Sequence, residues 1–329
     1  MSSRNIRKLI SVGLLIILAI IFAASTESFF NSRNIILLLR ESSYVGLIAL
    51  GMAFVIIGGG IDLSAGGIVC LSAVVCSRLA ATNDVPAIFV VLAGVLTGMA
   101  CGAINALINN KLHLTEFVAT LASGFVYTGL ALIVAYRENG RLVTQAVKNK
   151  GFLLLGDKIF GIHVMTLTWI VLMIIVMIIL YKTKFGLHTY AQGSNAKSAQ
   201  YSGVNNAMIK ASGFIICGFF SGLAATFTLA YQGAVSLATG TGMEFQAIAA
   251  CVVGGVVLGG GHGDALGAFI GALFLTLIMN GLYKYGIPTA YQYILQGGII
   301  LLATAFDVQF NRFTERRLSA VTTSTSAST

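Results

Sequence analysis

The sequence predicts an all-α integral membrane protein that crosses a bilayer about ten times. Three observations carry this reading. Hydrophobic residues make up 57% of the 329 and charged residues only 9%, against about a quarter in soluble domains. Apolar runs recur along almost the whole chain, each close to the roughly 20 residues that a helix needs to cross the hydrocarbon. The runs are continuous, whereas a barrel strand alternates over about ten residues, so the backbone groups that find no water in lipid are satisfied inside helices.

In chain order the apolar windows place spans near 9–25, 43–59, 66–81, 86–109, 114–135, 163–181, 211–231, 246–260, 267–283 and 291–306. The first follows Arg4, Arg7 and Lys8 and imitates a secretory signal. More spans follow at once, so it reads as an uncleaved first helix. The longest polar interruptions are 136–162 and 182–210. Ten spans put both termini and 182–210 on one side, and that side holds eleven Lys and Arg residues. The positive-inside bias therefore makes this side cytoplasmic and 136–162 external, although the external loop itself carries Arg137, Arg141, Lys148, Lys150 and Lys158. Residues 1–321 read as one membrane domain and the Ser/Thr-rich 322–329 as a disordered tail.

Cutting the chain at 136–162 leaves five spans in 1–135 and five in 163–306. An odd number per half inserts the two halves upside down relative to each other, giving two inverted five-helix halves. Transporters built this way place the substrate path where the repeats meet. The motif Gly58-Gly59-Gly60-Ile61-Asp62-Leu63-Ser64-Ala65-Gly66-Gly67 after span two then corresponds to Gly240-Thr241-Gly242-Met243-Glu244 after span seven. Each carries one carboxylate, and a carboxylate at a membrane span is costly and commonly functional. Asp62 is equally well placed to cap span three. Capping and gating both stand for it.

Other features have plainer readings. The net charge of +9 is spread over loops and termini, which suits membrane flanks and not nucleic acid. Cys70, Cys76, Cys101, Cys217 and Cys251 lie in apolar spans without metal-ligand spacing and read as small buried residues. Gly94 with Gly98, and Gly267 with Gly271, have the four-residue spacing that lets helix backbones approach in lipid. The turn around His262 and Asp264 offers too few ligands for a metal and lacks the Gly-Lys-Ser/Thr ending of a phosphate loop. No cofactor is assigned to this chain. Any ATP, with its Mg, belongs to a partner.

Within 182–210, Asn195 is a good N-cap and Gly203 a good terminator, predicting two helical turns over 196–202 outside the membrane. The side chains there are small, Ala196 and Ala199 among them, as suits a helix docking into a cleft on a partner protein.

At this loop the sequence resembles the permease family of bacterial ABC importers for ribose, xylose, galactose and related sugars. The likeness rests on Ala191-x-Gly193-x-Asn195, Ser202-Gly203-Val204, Gly60-Ile61-Asp62-Leu63-Ser64-x-Gly66, Phe117-Val118-Ala119-Thr120-Leu121 and Gly242-Met243-Glu244-Phe245. Gly254-Gly255 and Asn280-Gly281-Leu282 extend it through all ten spans. Gln246 departs from the family, which commonly has Asp there. The resemblance implies a permease in the bacterial inner membrane that pairs with a second permease subunit, identical or not. It implies cytoplasmic ATPase subunits that carry the ATP hydrolysis and a periplasmic sugar-binding protein that delivers substrate. It assigns coupling to Gly193, Asn195, Ala196, Ala199, Ser202 and Gly203, and the translocation path or its gate to Asp62, Ser64, Phe117, Glu244, Phe245 and Gln246. The alternative is an ion-coupled secondary transporter, with Asp62 and Glu244 as coupling carboxylates and no need of a docking helix. An intramembrane enzyme would require a convergent catalytic group that the cysteines and four histidines do not form.

Overall fold

The computed structural model describes residues 3–25, 29–112, 114–135, 146–236, 238–288, 290–292, 294–299, 301, 302, 305 and 309. The expectations for 136–145 and for the tail at 322–329 lie outside the described residues. The elements run α1 (Ser3–Ser25), α2 (Ser32–Ile57), α3 (Ala65–Leu79), α4 (Ala87–Leu112), α5 (Glu116–Ala135) and α6 (Lys150–Leu153). A two-stranded hairpin follows, β1 (Lys158–Ile159) against β2 (Ile162–His163). Then come α7 (Val164–Lys182), α8 (Lys184–Ser194), α9 (Ala196–Tyr201), α10 (Asn206–Gln232), α11 (Met243–Val253) and α12 (Ala265–Lys284). The described positions of 290–302 are helical as well.

Among the described residues α2, α4, α5, α7, α10 and α12 are long and apolar enough to cross a membrane. Shorter apolar helical stretches run over Leu15–Ala24, Ala65–Leu79 and Met243–Val253. The chain is thus a multi-pass helical membrane protein. The window 43–59 differs most from what forms, for α2 already begins at Ser32, while the windows 66–81 and 246–260 correspond to helices of only 15 and 11 residues, about 22 and 16 Å long at 1.5 Å per residue. The shortening of α11 has a local cause. Gly255 takes φ 87°, Val256 N–H donates to Cys251 O at 2.8 Å and Gly255 N–H to Val252 O at 2.9 Å, the bonding pattern that ends a helix at a left-handed glycine. The same device stops α2 at Gly59, with φ 88°. A hydropathy window does not register it.

Helices α2 and α10 form the buried centre, and α4 packs against α10. That crossing is backbone to backbone. A methyl group on Gly98 would overlap Gly218 O, one on Gly218 would overlap Gly98 O, and one on Gly222 would meet Gly94 O. The four-residue glycine spacing is therefore a packing device, as association in lipid requires. The α11–α12 contact is built likewise, Gly254 against Gly267 and Gly271 against Ala250. Exposed Ile88, Leu96, Phe125, Ile133 and Ile178 present the outer faces of α4, α5 and α7 to lipid.

Candidate functional site

Asp62 sits in the turn between α2 and α3, wholly buried. Its Oδ1 accepts the Ser64 N–H at 2.9 Å and the Ser64 hydroxyl at 2.6 Å. Asn105 on α4 donates to Ser64 Oγ at 2.7 Å, and Tyr127 on α5 donates its hydroxyl to Asn105 Oδ1 at 2.8 Å. Alongside, the Leu63 N–H donates to Thr120 Oγ1 at 3.0 Å. The turn into α3, α4 and α5 are thereby tied at one point. The capping expected of Asp62 takes a particular form. Ser64 is the N-cap of α3 but makes no side-chain bond to that helix, because its hydroxyl is engaged by Asp62, which shapes the turn into α3 one residue ahead of it.

Glu244 occupies the first turn of α11, after Gly242 at φ 76°. A methyl on Gly66 would overlap the Glu244 carboxylate and Gly240 O, and one on Gly240 would overlap Gly66 O. The two motifs matched in sequence order are thus in direct contact. A cleft of about 200 Å³ opens beside this contact, lined by Gly66, Cys70, Gly124, Thr241 and Glu244 among others. Of the other residues expected on the path, Ser64 lies in the Asp62 network, while Phe117 and Phe245 face outward from the chain. Gln246 lines a different and larger cavity between α2 and α12.

The segment 182–210 contains two helices where the sequence suggests one. α8 is an unexpected first helix, capped by Thr183, whose side chain accepts from Gly186 N–H at 3.2 Å. α9 follows directly. Asn195 Oδ1 accepts the Ser198 N–H at 3.0 Å, and Gly203 takes φ 85° just past the helix end. Asn195, Ala196, Ser202 and Gly203 are exposed. Ala199, expected on the contact face, is 5% exposed and packs with Val204 and Ile209, because in a six-residue helix one face must hold the element to the chain. Tyr201, 91% exposed, is the large side chain that α9 does present.

Gly193 joins this pair of helices to the membrane-spanning elements. A methyl there would overlap Ile57 O and Gly261 N. Around it, Gly261 N–H donates to Ile57 O at 2.8 Å, Gln192 Nε2 to Gly58 O at 3.0 Å, and the Tyr190 hydroxyl to Gly263 O at 2.7 Å. The last turn of α8 therefore interlocks with the glycine-rich turns that follow α2 and α11. Nearby, Lys210 at the start of α10 pairs with Glu116 at the start of α5, at 2.5 Å. Sequence reading missed Asn105, Tyr127, Gln192 and this ion pair. Only Glu116, a carboxylate directly before a span, carried a signal.

The chain matches the family model described as branched-chain amino acid transport system / permease component over residues 34–304. It is 37% identical over 294 residues to the ribose import permease protein RbsC of Bacillus subtilis, covering 89% of this chain and 90% of that one. Over 294 residues it is 33% identical to the D-allose transport system permease protein AlsC of Escherichia coli, covering 89% of each. Over 310 residues it is 33% identical to the L-arabinose ABC transporter permease protein AraH of Azospirillum brasilense, covering 93% of this chain and 89% of that one. No solved structure matches. A helical bundle that crosses the membrane, a family match running from α2 to the last helical residues, and relatives similar over nine-tenths of the chain lead to one conclusion: this protein belongs to the family of transport-system permease components.

Proposed function

We propose that the chain is the membrane-spanning subunit of an ATP-driven importer that moves a monosaccharide or small polyol across the bacterial inner membrane. The observation that carries this is the capped α8–α9 pair seated on the ends of α2 and α11, the arrangement needed if an outside motor is to move the membrane helices. The sugar class follows from the relatives, which are named for ribose, allose and arabinose. The chain is a transport component, and ATP with its Mg acts on cytoplasmic ATPase subunits. Those subunits, a periplasmic sugar-binding protein and a second permease subunit complete the assembly.

The same reading gives ten spans in two inverted halves, 1–135 and 163–306, with both termini cytoplasmic. α2 and α10 are counterparts at the centre, and the short α3 and α11 each open behind a Gly-rich motif bearing a carboxylate. Asp62 and Ser64 then hold the path in register. Glu244, with Phe117, Phe245 and Gln246, belongs to the path, the gate or the face toward the second subunit. Gly193, Asn195, Ala196, Ser202 and Gly203 form the coupling element, which Ala199 anchors from within.

The test is uptake into vesicles that contain the chain with its ATPase and binding protein, using labelled D-ribose, D-allose and L-arabinose. One of these sugars accumulates only when ATP and Mg are present on the ATPase side. Accumulation driven by an ion gradient, without ATPase, overturns the reading. Ala196→Arg should weaken co-purification with the ATPase subunits, since a long charged side chain would be desolvated in a close contact.

A further inference from the structure

The cavity that contains Gln246 has a lining that the motifs do not explain. It measures about 480 Å³, within the roughly 300–1,000 Å³ of small-molecule sites. Polar side chains reach it from four elements: Glu41 on α2, Gln246 on α11, Asn280 and Tyr283 on α12, and Gln292 and Gln296 in the helical stretch that follows. Amides and a carboxylate on membrane helices are costly unless they face one another or a wet interior. Here they gather on one space, between aliphatic surfaces of α2 and α12.

The carboxylate is held in place. Glu41 pairs with Arg40, and the Arg40 guanidinium, itself buried, lies 3.8 Å over the Tyr231 ring. This pairing neutralises Glu41 while leaving its side chain 42% exposed. Asn280 is oriented by Asn34, whose Nδ2 donates to Asn280 Oδ1 at 3.0 Å. Gln292 Nε2 donates to Ile287 O at 3.0 Å.

We infer that this cavity is a transit subsite for a neutral polyol, a step that rests on the importer reading above. The chemistry of the lining selects the ligand class. Each hydroxyl of a sugar both donates and accepts, as does each carboxamide, and a carboxylate accepts two neighbouring hydroxyls at once. Among the described residues no Lys or Arg lines the cavity, and Arg40 is already committed to Glu41, so a phosphorylated sugar or a sugar acid would enter without a counter-charge of its own. The only ring among these lining groups, Tyr283, is 72% exposed, so the site grips loosely and lets its cargo leave.

The test uses the complete transporter in vesicles and whichever of D-ribose, D-allose and L-arabinose the native chain accumulates. The double variant Gln246→Leu/Gln296→Leu should lower uptake at least about tenfold, as expected for the loss of two or more hydrogen bonds to the moving ligand. The separate measurement is labelling of Gln296→Cys by a membrane-impermeant thiol reagent. The cysteines Cys70, Cys76, Cys101, Cys217 and Cys251 are all buried, so they give little background. The transported sugar should slow labelling of Gln296→Cys, its phosphate ester should not, and Ile294→Cys in the same stretch should be indifferent to both. If the native chain transports while the double variant transports equally well and the sugar gives no protection, the subsite is overturned and the importer reading stands. If the native chain shows no ATP-dependent uptake of any of the three sugars, both fall together.

Discussion

The entrances to α3 and α11 look alike in sequence and are built to opposite ends. Each follows a Gly-rich motif with one carboxylate, and the two touch through Gly66 and Gly240. Asp62 is sealed, and its hydrogen bonds reach through Ser64 and Asn105 to Tyr127. Glu244 is partly exposed, borders a cleft, and follows a glycine N-cap that offers no side-chain bond. A buried carboxylate is tolerated when it orders several donors, whereas one beside an opening keeps freedom to respond to what passes. Motifs that look alike in sequence need not share a task.

The comparison can be broken at four points, in order of expected effect. Asp62→Ala deprives the Ser64 N–H and hydroxyl of their acceptor in a dry interior and should lower stability by about 3 kcal/mol, read from thermal unfolding in detergent. Stability equal to the native chain would end the account of Asp62 as a structural tie. Gly66→Ala drives a methyl group into Gly240 O and the Glu244 carboxylate and should cost about 1–3 kcal/mol. Gly129→Ala is its control, since nothing lies within 4 Å of a methyl there and α5 should tolerate or gain from it. Tyr127→Phe removes the far end of the network for about 0.5–1 kcal/mol, the modest worth of hydrogen bonds inside membranes. Glu244→Gln should leave stability within about 0.5 kcal/mol of native while lowering transport. An equal loss of stability at Asp62 and Glu244 would make the two entrances equivalent after all.

The helices were legible because their cause is local. Hydropathy marks α4, α5, α7, α10 and α12 within a few residues, and Asn195 with Gly203 marks α9. What escaped depends on distant partners or on backbone angle. The partners of Ser64 and Leu63 lie 41 and 57 residues away, and no periodicity announces them. α8 is too polar and short for a window tuned to membrane spans. The inward turn of Ala199 could not be read because six residues hold too few turns to show a periodic face. The roles of Phe117 and Phe245 came from motif likeness alone, and their outward aspect gives them a surface that only lipid or another subunit can cover.

At the centre of the α8 seat, between the hydrogen bonds of Tyr190 and Gln192, backbone meets backbone. Gly193 rests on the Ile57 carbonyl and against Gly261, and a methyl on Gly260 would come within 2.8 Å of Gly193 O and Gly59 Cα. Where helices meet through long side chains, a small shove is absorbed as rotamers re-sort. Backbone against backbone has no such slack. A displacement of α8 by even an ångström must be taken up by the end of α2 and the α11–α12 turn together, so the junction behaves as a stiff lever with its fulcrum at three glycines. Leverage of this kind loses its precision with the first added carbon, and Gly193→Ala should dull the machine while leaving each of its helices intact.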